Sequence, residues 1–368
     1  MKSLRGQIAR PDGSTFAGEV RFADGRITAV ETLDDSRVSD DWILPGFIDL
    51  QVNGADGIDV MDATPTALAT LSAHLARTGT TAWLPTAITS PIDRIAAVDA
   101  AVADAMVEQA GYLDGPIIGL HLEGPFISPS RRGAHPSCCL EPRGEALERV
   151  LAMRAPGLVT LAPELPGALE AIRRLRVHGI AVSIGHTDST LDQARAAIAA
   201  GARMFTHVPN AMAPLHHRNA GAALAALIPS PAFAAVIADG VHVHLEFIRM
   251  MMLARGPAGI CLTTDRVAIT TVSAERPLSG ALESGGAARL PDGTLAGSVI
   301  TMLDAMRLMI ERAGATVGEA SMMAAANPAA VLGLGDRGRV ETGARADLLL
   351  LGSALELKTV FIGGRELS

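Results

Sequence analysis

Eight short apolar runs, each followed by a stretch of helical periodicity, are the feature that most restricts how this chain can fold. They fall near residues 46–52, 80–85, 116–122, 158–162, 180–185, 203–207, 233–238 and 259–264. Patterns such as Ala67-Leu68-Leu71-Leu75 and Ala194-Ala197-Ile198 mark helices between them, the second opened by Ser189 or Thr190 as a cap. Strand alternating with helix gives a parallel sheet covered on its faces. Eight such units in a chain of 368 residues are the arithmetic of an α/β fold of the (β/α)8, TIM-like barrel kind. A doubly wound open sheet is the runner-up, but no Gly-x-Gly-x-x-Gly opens the first helix. With 49% apolar and 19% charged residues the chain can bury such a sheet.

The two ends have a different texture. Gln7-Ile8-Ala9, Gly18–Phe22 and Arg26–Val30 read as strands, with Asp24-Gly25 a hairpin turn between the last two. Ala346–Leu351 and Val360–Arg365 look alike at the other end. The expectation is a small β-sandwich domain made of residues 1–45 and 336–368, packed tightly against a barrel of 46–335. Helices are expected at Leu303–Arg312 and Gly318–Leu332, after the eighth strand.

Charge and cysteine content exclude several classes of partner. The net charge is -8, aromatics are 3%, and no basic run stands out, so no nucleic-acid partner is expected. No apolar run reaches spanning length, and the N-terminus lacks a signal peptide's apolar core, so no membrane association is expected. Cys138, Cys139 and Cys261 are no disulfide framework and suit a reducing cytoplasm.

Polar residues gather where the strands end. The third ends His121-Leu122-Glu123, where Gly124-Pro125 breaks it and the alternation of a strand points His121 and Glu123 the same way. The first ends Asp49-Leu50-Gln51-Val52-Asn53, the fourth at Glu164, the fifth at His186-Thr187-Asp188 and the sixth at Thr206-His207. The seventh ends in Asp239, His242 and His244, and the eighth in Thr263-Thr264-Asp265. In a barrel these ends share one rim, where such folds place their chemistry. Glu123, His186 and His207 supply a His₂Glu metal set that leaves a position for water. Such a metal brings the pKa of its water to about 7. A separate carboxylate, Asp265, is then placed to take the proton and pass it to the leaving group.

The same residues carry a family likeness. Pro45–Gly54, His121–Phe126, Gly185-His186-Thr187, Thr206-His207 with Asn210-Ala211-Met212, Pro214–Arg218, Ile237–His242, Thr264-Asp265 and Asp292–Ser298 together resemble the amidohydrolase superfamily. Within it they are similar to the N-acetylglucosamine-6-phosphate deacetylase family. That resemblance implies release of acetate from N-acetylglucosamine 6-phosphate or a close amino-sugar phosphate, a hydrolysis of a linear amide C–N bond. It implies one divalent metal per chain on Glu123, His186 and His207, zinc first, with iron or manganese also compatible. Gln51-Val52-Asn53 stands where many amidohydrolases have a His-x-His pair for a second metal. Asp265 is implied as general base and then acid, and His135 as the group that aids the substrate carbonyl. Sugar and phosphate contacts are implied at Ala134, His135, Asn210, Ala211, Arg218, His242 and the Leu295-Ala296-Gly297 loop. Arg218 is implied to reach the neighbouring site of a homodimer.

Three segments depart from the family pattern: Val208-Pro209, Asn219-Ala220 and Arg266-Val267-Ala268-Ile269. All are expected to border the sugar site and so to bear on the identity of the sugar. Hydrolysis of another N-acyl or cyclic amide, and a catalytically silent sugar-phosphate sensor, stay open as alternatives.

Overall fold

The computed structural model describes residues 1–110, 115–268, 282–284 and 286–367. Eight parallel strands form one sheet: Phe47–Val52, Thr80–Ile88, Leu120–Glu123, Pro156–Leu161, Ala181–Ile184, Met204–Phe205, Phe233–Ile237 and Ile260–Thr263, each paired with the next. Phe47–Val52 and Thr80–Ile88 are buried at every position, as strands covered on both faces must be. The last strand returns to the first. Asn53 and Gly54 donate their backbone N–H groups to the Arg266 carbonyl at 2.7 and 3.1 Å. The buried Asp49 carboxylate accepts from the hydroxyls of Thr263 at 2.9 Å and Thr264 at 2.5 Å. These contacts close the sheet into a TIM-like barrel.

Helices including Pro65–Ala76, Ile92–Gln109, Ala168–Val177, Leu191–Ala200, Leu245–Arg255 and Met302–Glu311 alternate with the strands. Thr190, rather than Ser189, caps Leu191–Ala200: its hydroxyl accepts from Gln193 N–H while the Gln193 side chain accepts from Thr190 N–H. Among the described residues, no helix is long and apolar enough to cross a membrane.

Side-chain alternation stacks the barrel interior in layers. Ile48, Leu50, Ala82, Leu84, Leu158, Met204, Ala235 and Cys261 share one apolar cluster. Toward the strand ends comes a hydrogen-bonded polar layer. His121 Nε2 meets Thr160 Oγ1 at 2.8 Å, Thr160 meets Thr206 Oγ1 at 2.8 Å, and Thr206 meets Ser183 Oγ at 2.5 Å. The buried hydroxyls of Thr160, Thr206 and Ser183 each have a partner, so none of them is an orphaned polar group. The functional rim sits above it. In the first strand the register against Thr80–Ile88 shifts between Asp49 and Val52. Such an irregularity re-aims side chains, and here it leaves Gln51 and Asn53 facing the rim.

The two chain ends meet in a seven-stranded sheet of order Arg365–Leu367, Leu357–Ile362, Leu348–Leu351, Trp42–Pro45, Lys2–Ala9, Thr15–Ala23 and Arg26–Thr32. This one sheet curls until its halves pack face to face. Phe22 and Phe361 lie four strands apart in it, yet their rings meet edge-on at 5.2 Å, and Ile27 N–H reaches Ala344 O at 2.8 Å. Ile8, Val20, Ile27, Ile43 and Leu348 fill the space between. Asp24 and Gly25 both have positive φ, 51° and 80°, as a two-residue hairpin turn demands.

Three local expectations need correction. The third strand begins at Leu120, and of Pro116-Ile117-Ile118 only Ile117 makes an isolated bridge, to Trp83. Gly119 breaks the run, with φ of 140° and a backbone so close to Gly157 that an added Cβ would lie 3.1 Å from its Cα. The segment Leu295-Ala296-Gly297 is no loop but part of a strand, Leu295–Ser298, in a three-stranded sheet with Ala287–Arg289 and Leu282–Ser284. The helical run after residue 317 contains a π-helical turn, Met322–Ala326, between Val317–Ser321 and Asn327–Leu332.

Candidate active site

Glu123, His186 and His207 arrive from three different strand ends and converge. Glu123 Oε1 lies 3.0 Å from His186 Nε2 and 2.9 Å from His207 Nε2, and the two nitrogens are 3.1 Å apart. All three side chains are buried. His186 Nδ1 faces the Arg131 carbonyl at 2.9 Å. A carbonyl has no proton to give, so Nδ1 carries the hydrogen and Nε2 in the neutral ring presents its lone pair to the carboxylate. Two acceptors at that distance need a proton or a cation between them. Ligand bonds of about 2.0–2.1 Å in a tetrahedral site put neighbouring donor atoms about 3.3 Å apart. The observed separations fit a divalent metal on this donor set.

Local backbone makes the convergence possible. His186, His207 and Asp265 have φ of 47°, 31° and 49°, a region that non-glycine residues enter at a cost of about 1–3 kcal/mol each. The His186 turn is braced from both sides. Glu164 accepts from Thr187 Oγ1 and Asp188 N–H, while Asp188 accepts from Ser130 and Arg131. Glu164, one of the polar strand ends, is therefore a support and not a lining residue.

Asp265 and Glu123 are tied together by amides. Gln51 Nε2 donates to Glu123 Oε1 at 2.8 Å and to Asp265 Oδ1 at 2.9 Å, and Asn53 Nδ2 donates to the same Asp265 oxygen at 2.7 Å. Burial, with the Glu123 carboxylate reinforcing it, pushes the Asp265 carboxyl up to about 8. Burial works against ionising Glu123 too, but the imidazoles around it, His135 foremost, hold its carboxyl well below the usual range. His135 Nδ1 accepts from Thr89 N–H at 3.3 Å, which leaves Nε2 as the protonated nitrogen, 3.4 Å from Glu123 Oε2. A neutral imidazole N–H thus points at the centre of the site.

A cavity of about 230 Å³ opens over these groups. Its lining brings together Ala134, His135, Asn210, Ala211, His242, Leu295, Ala296 and Gly297 with the Glu123 set and Asp265. Arg218 is not among them: it sits exposed on the 213–219 loop, where its backbone N–H bonds His216. Among the described residues, none of the three departing segments is in the lining, although Val208-Pro209 adjoins His207 and Asn210 and Arg266 adjoins Asp265, which are. Val208 is fully buried, Asn219 is exposed, and Arg266, past the end of the eighth strand, bridges Val52 and Ser298. Ile269 lies outside the described residues.

The strand Leu295–Ser298 reaches the site by lying alongside Asp265. Ser298 N–H donates to Asp265 O at 2.9 Å, Val267 N–H donates to Ser298 O at 3.1 Å, and Ser298 Oγ donates to Thr264 O. Gly297 permits this approach, with φ of 125° and an added Cβ only 2.7 Å from Asp265 O.

Sequence reasoning passed over Thr89 and Arg131. The second strand carries no imidazole or carboxylate at its end, and both residues act through backbone groups, which no residue type announces.

Comparison with known proteins agrees with this geometry. The profile of the Amidohydrolase family matches residues 42–367. The chain is 36% identical to the N-acetylgalactosamine-6-phosphate deacetylase of Escherichia coli O157:H7, over 94% of each protein. It is 36% identical to the N-acetylglucosamine-6-phosphate deacetylase of Bacillus subtilis, over 92% of this chain and 90% of that one. Among solved structures, it superposes with a TM-score of 0.87 and 31% identity on a mutant N-acetyl-D-glucosamine-6-phosphate deacetylase from Mycobacterium smegmatis. That structure was solved in complex with N-acetyl-D-glucosamine-6-phosphate, and the match covers 99% of this chain and 98% of that one.

Proposed function

The chain belongs to the amidohydrolase family, and on that premise we propose that it removes the N-acetyl group of an amino-sugar 6-phosphate. N-acetylglucosamine 6-phosphate is the first candidate and its galacto epimer the second, since relatives of both kinds match equally well. The products are acetate and the free amine. The observation that carries the reading is the joining of Glu123, His186 and His207 to Asp265 through Gln51 in one buried cluster.

A divalent metal on Glu123, His186 and His207 supplies a Lewis acid and a water acidic enough to ionise near neutrality. The remaining work falls to the chain's own side chains. Asp265 holds Oδ1 in the Gln51 and Asn53 hydrogen bonds, which leaves Oδ2 to take a proton from water and return it to the leaving nitrogen. His135 offers its Nε2–H to the carbonyl oxygen, where negative charge develops. Asn210, Ala211, His242 and Leu295–Gly297 receive the sugar and phosphate.

The metal count is one per chain. Gln51 and Asn53 aim N–H groups, not lone pairs, at the two carboxylates, and that fills the place a second cation would need. Zinc is the first assignment for this donor set. Arg218, exposed on its own chain, is assigned to the partner's phosphate in a homodimer, and the three free cysteines fit a cytoplasmic protein. The test is acetate release from a panel of N-acetyl sugars, with and without the 6-phosphate, alongside elemental analysis. Equal rates on phosphorylated and plain sugars, or no acetate at all, overturn the reading.

A further inference from the structure

His242 stands five residues past the end of the seventh strand at Ile237 and lines the cavity, and its ring is held from behind. Its Nδ1 lies 2.6 Å from Asp239 Oδ2. Asp239 Oδ1 in turn accepts the backbone N–H groups of Val241 and His242, both at 2.8 Å. The Asp239 side chain is 0% exposed and that of His242 4%. A carboxylate that takes three donors is ionised and acceptor-only, so Nδ1 must carry a hydrogen. His242 Nε2, by contrast, is buried without a partner in the protein. A buried polar atom left unsatisfied costs free energy unless a ligand completes it. Among the described residues that line the cavity none is Lys or Arg, and His242 is the one lining imidazole outside the Glu123–His135 cluster.

Resting on the deacetylase reading, we propose that Asp239 is a positioning residue. It fixes the orientation and tautomer of His242 so that Nε2 is the atom that meets an oxygen of the sugar phosphate. Asp239 touches no substrate itself and acts through His242. The arrangement parallels the way a carboxylate orients a metal-binding imidazole, here with a ligand oxygen in place of the metal.

Asp239→Asn separates this role from simple support of the turn. The amide oxygen keeps the two backbone hydrogen bonds, while the amide N–H₂ now faces Nδ1 and forces the ring to shift its hydrogen or rotate. With N-acetylglucosamine 6-phosphate as substrate, Asp239→Asn should raise KM roughly ten-fold or more and keep kcat within about three-fold, at little change in Tm. The double variant Asp239→Asn, His242→Gln should be no worse than His242→Gln alone, because the two residues act as one unit. Wild-type KM in Asp239→Asn, or effects that simply multiply in the double variant, overturn the proposal while the deacetylase reading stands. A wild-type enzyme that releases no acetate overturns both. A second measurement needs no folded variant of Asp239: nitrogen NMR of histidine-labelled wild type should show His242 hydrogen-bearing at Nδ1, with the Nε2 signal moving on addition of the sugar phosphate. An unprotonated Nδ1 overturns the proposal.

Discussion

Asp265→Asn in metal-stripped protein puts the electrostatics of the site to a direct test. Asp265 has its carboxyl raised from 3.8 to about 8, first by burial and then by Glu123. A group whose folded pKa lies above its unfolded one contributes stability that is complete below the unfolded value and is lost as pH rises through the folded one. The wild type should therefore lose stability from this group between about pH 4 and pH 8, and the amide should lose none. At 1.36 kcal/mol per pKa unit, a shift of about four units sets a ceiling of roughly 5 kcal/mol on the advantage of Asp265→Asn at pH 8, falling to near zero at pH 4. Urea unfolding of both stripped proteins across that range measures the gap. Returning the metal should shrink it, because a cation beside Asp265 favours the charged form. The same variant should lose about 10²–10⁴ in kcat with its metal content intact. A gap that stays constant or narrows as pH rises refutes the electrostatic reasoning, and near-normal kcat removes Asp265 from proton transfer.

His121 gives a second stability test of opposite sign: burial lowers its pKa from 6.5 to about 4, so the fold should lose roughly 3 kcal/mol as pH falls between those values. His121→Gln should flatten that acid limb in a pH series of unfolding curves. Gly297→Ala places a Cβ against Asp265 O and Val267 at a φ of 125°, so it should destabilise by about 1–3 kcal/mol and lower kcat by shifting Asp265. Calorimetry and steady-state rates check the pair of effects. Arg218→Ala should raise KM about ten- to hundred-fold for a 6-phosphate substrate and leave a non-phosphorylated N-acetyl sugar nearly indifferent. Mixed with Asp265→Asn chains it should recover part of the activity, because each mixed dimer holds one complete site.

Much of the barrel was legible because period and punctuation agree along the chain. All eight strand candidates form, and Thr190, one of the two cap candidates, closes a capping box with Gln193. The cluster of Glu123, His186 and His207 was legible for a simpler reason: strand ends in a closed parallel sheet must share a rim. What escaped was non-local. The break at Gly119 depends on its contact with Gly157, which no window of sequence around either residue contains. The strand Leu295–Ser298 has little strand character; it pairs antiparallel with Ala287–Arg289, and its end then bridges Arg266. The departures at Val208 and Arg266 read as neighbours of the sugar because they adjoin His207 and Asp265 in sequence. Past the strand ends, however, the left-handed backbone of His207 and Asp265 redirects the chain, which buries Val208 and carries Arg266 into bridges with Val52 and Ser298. Thr89 and Arg131 orient two histidines with main-chain atoms, and a search by residue type is blind to those.

The central claim is that one metal on Glu123, His186 and His207 supports deacetylation of an amino-sugar 6-phosphate. The most direct measurement titrates zinc into metal-stripped protein while acetate release from N-acetylglucosamine 6-phosphate is followed in the same samples. The account predicts activity that starts near zero, rises linearly and levels off at one equivalent per chain, with Glu123→Gln needing far more metal to reach any plateau. Full activity in the stripped protein, a plateau at two equivalents, or a Glu123→Gln curve that overlays the wild type would contradict it.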